Sequence, residues 1–167
     1  MKEIMECKVI KYLNEAVKIK LSNGMKGILS SAEISDLSIP IEEKVYIGQV
    51  LTVLVEYTAN GLKISHKYLL ESQDTFFENH LGDMVKARVI YSTRIGCLLE
   101  LSSNVHYFVK DMCNLKKGTF VWASITMYGK VIIDSVLYDE ERNYYPSYKY
   151  IIPNIIEDIV DGNKFAA

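Results

Sequence analysis

The side chains best placed to do chemistry are cationic. Lys11, Lys18, Lys20 and Lys63 fall at outward positions of short β-forming runs, with Lys8 and Lys67 close by. Ammonium groups held on one sheet face attract phosphate, and they repel one another unless something negative compensates. Further along, Arg88, Tyr91 and Arg94 flank another such run, and Lys110 follows. Tyr91, Tyr107 and Trp122 offer ring surface on which a base can stack, although a strand Trp is more often core. The ordinary alternative is a solvated lysine face. Glu6, Glu33, Asp36, Glu42, Glu43 and Glu56 bring the first half close to neutral, so only a segregated face would bind.

Other chemistries find little support. His66, His80 and His106 stand alone, with no Cys or His at metal-ligand spacing. There is no glycine-rich phosphate loop and no nucleophile elbow. Ser30-Ser31 has no histidine near it and reads as a polar strand end. The expectation is a non-enzymatic protein with no metal and no cofactor.

The elements that must carry these residues are strands. In Cys7–Glu33, Val17, Ile19 and Leu21 alternate with Lys18 and Lys20, the period-two mark of a half-buried strand. Ser22-Asn23-Gly24 supplies a turn, and Met25–Leu29 can return as a third strand. Shifting the chain by eighty positions lays Val9-Ile10 on Val89-Ile90 and Ala16–Leu29 on Gly96–Val109. After a shorter second loop, Gly48 and its following strand meet Gly118 and its own. Each copy then closes with a turn, Thr58–Gly61 or Met127–Lys130, and a last strand.

Each unit therefore has about five strands with a longer link after the third, the order of the oligonucleotide- and oligosaccharide-binding (OB) fold. The fold class expected is all-β: two tandem five-stranded OB barrels, a short connector helix and a Tyr-rich C-terminal extension. Two unrelated β meanders, or one β-sandwich, are the alternatives. The boundaries read as 1–67 for the first barrel, 68–81 for the connector helix, 82–136 for the second barrel and 137–167 for the extension. The connector rests on Leu69, Leu70, Phe76, Phe77 and Leu81 at roughly helical spacing. The extension holds Tyr138, Tyr144, Tyr145, Tyr148 and Tyr150, and 151–160 can form a short helix before Gly162. So much Ile and Tyr points to a tail that packs on a barrel or meets a partner.

From about residue 7 to 67 the sequence resembles the S-one RNA-binding domain, the OB repeat of the largest protein of the bacterial ribosomal small subunit. Lys8-Val9, Leu21, Gly24, Gly27-Ile28-Leu29 and Glu33 follow that family's opening run. Gly48-Gln49-Val50-Leu51 and Gly61–Lys67 resemble its later pieces, and a weaker likeness covers about 83 to 136, with Gly96 at a family glycine. The resemblance implies single-stranded RNA, or another single-stranded nucleic acid, as partner, with weak sequence preference and a bacterial role accessory to translation or transcription. The family's base-stacking positions, two Phe and one His, read Glu15, Lys18 and Ser30 in the first copy and Ile95, Leu98 and Lys110 in the second. None is aromatic, so phosphate contacts must carry the binding. An outward Ile95 and Leu98, with Tyr107, would instead be candidate contacts for a protein partner or a second copy, since apolar patches on small barrels usually mark such contacts.

The bulk properties agree with a folded, reducing-compartment protein. The chain is 49% hydrophobic, enough for a real core, and its net charge of −2 leaves the partner to local charge distribution. Cys7, Cys97 and Cys113 are odd in number and far apart, which suggests no disulfide framework. The charged N-terminus is unlike a signal peptide, and no apolar run reaches the ~18 residues of a span. The expected location is the cytoplasm, with no membrane partner.

Overall fold

Strand β1 (Lys2–Leu13) runs through a turn into β2 (Ala16–Leu21), and β3 (Lys26–Ser30) returns after Asn23-Gly24, the meander expected from the alternation. The computed structural model describes residues 2–110, 114–137, 145, 146 and 148–150. β1 is long because it serves two neighbours. Its second half pairs with β2, while Lys2–Lys8 pairs with β4 (Val50–Thr58). A register shift between Val9 and Lys11 separates the two roles, and such a bulge adds the twist that lets a sheet curl. β5 (Gly61–Ser65) completes the order β3-β2-β1-β4-β5. The sheet curls into a nearly closed, OB-like barrel as β3 meets β5. At that seam a Cβ on Gly27 would lie 2.5 Å from Ile64 Cδ1. Val9, Val17, Ile19, Leu21, Leu29, Leu51, Val53 and Val55 are buried inside.

The link from β3 to β4 holds two single-turn helices, α1 (Ser31–Ile34) and α2 (Ile41–Lys44). Ile34, Leu37, Ile41 and Val45 are buried beneath it. Lys44 is buried too, and its Nζ donates to the carbonyls of Ser31 and Ser35, both at 2.9 Å. Burial lowers this ammonium to about 8, since desolvation disfavours the charged form. It adds a second donor to the Ser31 carbonyl, which also accepts the Ser35 N–H at 3.4 Å, and a donor to the Ser35 carbonyl just past the end of α1.

The second sheet repeats the plan with β6 (Met84–Thr93), β7 (Gly96–Ser102), β8 (Val105–Lys110), β9 (Phe120–Ile125) and β10 (Val131–Leu137) in the order β10-β9-β6-β7-β8. The offset of eighty survives as geometry. β6 shifts register between Val89 and Tyr91, as β1 does between Val9 and Lys11. Val9 exchanges backbone hydrogen bonds with Gly48 and Gln49 (2.8 and 2.9 Å), and Val89 does so with Gly118 and Thr119 (both 2.8 Å). Gly48 (φ +92°) and Gly118 (φ +84°) both take the left-handed backbone that starts this strand.

The chain divides into two units, Met1–Leu70 joined by Tyr150, and Glu71–Lys149. The expected connector helix over 68–81 is replaced by two pieces, a 3-10 turn at Lys67–Leu69 and α3 (Gln73–His80). The cause lies in the apolar residues. Leu69 and Leu70 are buried in the first unit, whereas Phe76 enters the core of the second with Val89, Leu99 and Val121. Residues that serve different cores cannot share one helix face. Ser72 Oγ starts α3 afresh by accepting the Thr75 N–H at 3.2 Å. Of the extension, Pro146 is buried, and Tyr150 packs beside Ile4, Leu54 and Leu69 of the first unit. Cys113, Tyr138, Tyr144 and the expected helix at 151–160 lie outside the described residues.

Candidate nucleic-acid interface

Strand register sets the lysines of the first unit in rows. Lys8 lies opposite Lys20, and Lys20 opposite Lys26, across β1, β2 and β3. In a second row Lys11 lies opposite Lys18, and Lys18 opposite Ile28. Directly opposed side chains have Cβ atoms about 5 Å apart, so like charges there repel. None of these five lysines makes an ion pair among the described residues. All are exposed except Lys18, which is half-buried, and Ile28 beside it is 63% exposed. Leu13, Lys18, Lys26, Gly27, Ile28 and Leu62 line a shallow groove along this face.

The structure thus brings Lys11, Lys18 and Lys20 together and adds Lys8 and Lys26. Counting back from the Asn23-Gly24 turn already sets Lys26 opposite Lys20, so the sequence held that signal. Lys63 stands apart. It is exposed on β5 directly opposite Glu56, whereas none of the other five has a carboxylate directly across from it. Lys67 pairs with Asp36 at 3.0 Å. Tyr12 turns inward and donates to the Val45 carbonyl at 2.8 Å.

The second unit corrects one expectation outright. Arg88 is not the exposed cation expected: it is 4% exposed, and its Nη2 donates to Glu100 Oε1 at 2.8 Å. The partner is set by hairpin register, which places Glu100 directly opposite Arg88. Arg94 and Lys110 are exposed at the β6–β7 hairpin and the end of β8. Tyr91 is half-buried in a cross-strand row with Leu98 and Phe108. Ile95 is 69% exposed at the hairpin, while Leu98 is half-buried. Tyr107 points to the other side of β8, where it packs on the core and on Phe77 at 6.3 Å between ring centroids. Ile95, Leu98 and Tyr107 therefore do not form one patch. Trp122 is 37% exposed, opposite Lys86, whose Nζ lies 4.9 Å from the centre of the Phe120 ring.

His66, which stood alone in the sequence, is fully buried in a hydrogen-bonded chain. Its Nδ1 lies 2.7 Å from the Ile34 carbonyl, which can only accept, so Nδ1 carries the proton. Nε2 then accepts from the Tyr150 hydroxyl at 2.9 Å, and that oxygen accepts from the Thr52 N–H at 3.2 Å. Burial pushes the imidazole down to about 4 and the Tyr150 phenol up. Tyr150 docks on Thr52, Leu54 and His66, none of which belongs to the lysine rows.

No family model matches the chain, and no curated protein matches it. Among solved structures it is distantly similar to a multidomain protein with nucleic acid binding domains from Streptococcus pneumoniae TIGR4. Sequence identity is 15% and the TM-score 0.30, over 97% of this chain. The chain spans 59% of that protein's length.

Proposed function

We propose that this chain is a non-enzymatic binder of single-stranded nucleic acid, RNA in the first instance. It holds the backbone through phosphate contacts from Lys8, Lys11, Lys18, Lys20 and Lys26. One observation carries the reading: five lysines stand in two cross-strand rows with no ion pair among the described residues. Such a row is unfavourable in isolation and is relieved by a polyanion laid across it. The resemblance of residues 7–67 to the S-one RNA-binding domain supports the same partner, and it supports a role beside translation or transcription in a bacterial cytoplasm. Contacts of this kind read backbone charge and not base identity, so sequence preference is weak.

Fluorescence anisotropy with a labelled RNA decamer in low salt tests it. Reversing two charges, Lys20→Glu with Lys26→Glu, is expected to weaken binding at least tenfold, whereas Lys63→Glu, on a different strand pair, changes it far less. Equal affinity of the double variant and the parent would overturn the assignment of this face.

A further inference from the structure

Two asparagines of the first unit are followed by glycine, and both pairs, Asn23-Gly24 and Asn60-Gly61, sit at exposed hairpin tips. Asn23 lies between β2 and β3, and Asn60 between β4 and β5. Such a pair can react with itself, because glycine puts no side chain in the way of its own nitrogen. The Gly nitrogen loses its proton and bonds to the Asn Cγ, and the side-chain nitrogen leaves as ammonia. Water then opens the succinimide at either carbonyl, giving aspartate or isoaspartate. In sum an amide and water become a carboxylic acid and ammonia, so water is the sole co-reactant.

The fold treats the two pairs differently. The Asn23 amide is held at both ends. Its Nδ2 donates to the Tyr57 hydroxyl at 3.3 Å, and its Oδ1 accepts the Met25 N–H at 3.0 Å. The attacking Gly24 N–H is itself committed to the Leu21 carbonyl at 2.9 Å. Tyr57 is fixed in turn, since its hydroxyl donates to Glu3 Oε2 at 2.9 Å. The Asn60 side chain, by contrast, makes no hydrogen bond among the described residues. There Thr58 Oγ1 donates to the Gly61 carbonyl at 2.7 Å, which ties the turn and leaves the Asn60 amide able to rotate.

We propose that Asn60 is a site of spontaneous deamidation and that Tyr57 shields Asn23 from the same reaction. The shielding preserves the lysine rows. Asn23 stands at the tip of the hairpin that sets Lys20 opposite Lys26. A carboxylate at that tip only accepts hydrogen bonds, so it competes with Glu3 for the one phenolic proton and brings negative charge to the lysine hairpin. A carboxylate at position 60 falls on the other hairpin, where Lys63 already faces Glu56.

Peptide mapping by mass spectrometry over several weeks at pH 8 reads both sites in one sample. In guanidinium chloride the two should react at similar rates, since each is followed by glycine. In the folded parent Asn60 should still react, while Asn23 slows about tenfold or more because two side-chain hydrogen bonds must open first. Tyr57→Phe removes the acceptor for Nδ2 and should speed Asn23 about three- to tenfold, with the Asn60 rate unchanged. Equal rates in the folded parent, or an Asn60 that reacts only in denaturant, would overturn the assignment. A Tyr57→Phe variant whose Asn23 rate stays put, or rises only together with that of Asn60, would overturn the shielding. In RNA anisotropy Asn23→Asp should weaken binding about two- to fivefold and Asn60→Asp less, and equal affinities would contradict the effect on the lysine hairpin. That last arm rests on the single-strand reading above, whereas the two rates are read without nucleic acid and stand or fall without it.

Discussion

His66 shows how a single buried group ties stability to pH. In the folded chain its imidazole titrates near 4, against an ordinary 6.5, because burial penalises the cation. The unfolded chain therefore binds the proton more readily. The stabilisation is complete above pH 6.5 and is lost as pH falls from 6.5 toward 4. Two and a half pKa units correspond to about 3 kcal/mol. Urea denaturation at pH 7.5 and pH 4.5 should show a loss of that order, and His66→Gln should flatten the difference. An equal loss in both proteins would remove His66 as its source. Arg88 and Glu100 form the second such case. Removing Arg88 takes a cation 2.8 Å away from the buried Glu100, so Arg88→Met should cost about 3–5 kcal/mol, while Arg88→Met with Glu100→Leu should recover most of it. Thermal unfolding of the single and double variants measures this, and additive losses would contradict it. Arg88 also marks where sequence reading fails. A cation on an outward strand position looks like a phosphate contact until the hairpin register sets a glutamate across from it.

At the level of elements, the two sheets were legible because alternation, turn chemistry and the repeat all point the same way. The aligned Val9-Ile10 and Val89-Ile90 pairs prove to mark the two bulges, and the aligned glycines mark the starts of the strands that follow. The connector was not legible as drawn, since helical spacing cannot reveal that Leu69 and Phe76 belong to different cores. The exposure of Tyr128 is illegible for a similar reason. The turn at Met127–Lys130 was readable, but not that its ring stands almost wholly in solvent. Glycine supplies a test at this scale. A Cβ at Gly96 would lie 2.2 Å from the Val109 carbonyl oxygen, so β7 and β8 must separate to admit it. A Cβ at Gly27 meets only the end of the Ile64 side chain. Gly96→Ala should therefore destabilise by about 2 kcal/mol or more, and Gly27→Ala by clearly less. Equal melting temperatures for the two variants would argue against the close strand approach at Gly96.

Across the molecule, net charge is uninformative and charge placement decides. A chain of net −2 still sets five lysines on three adjacent strands. Two properties should then move in opposite directions. Lys20→Glu removes like-charge opposition on both sides, so the melting temperature holds or rises while RNA affinity falls. A variant that lost both together would be unfolding, not losing a contact. The most direct test of phosphate binding is the salt dependence of RNA affinity. For five phosphates on a single strand, log K against log salt concentration should fall with a slope of about −3.5. Lys20→Glu with Lys26→Glu should flatten that slope by at least about 1.4. A slope near zero in the parent protein, or one that the double variant leaves unchanged, would contradict it.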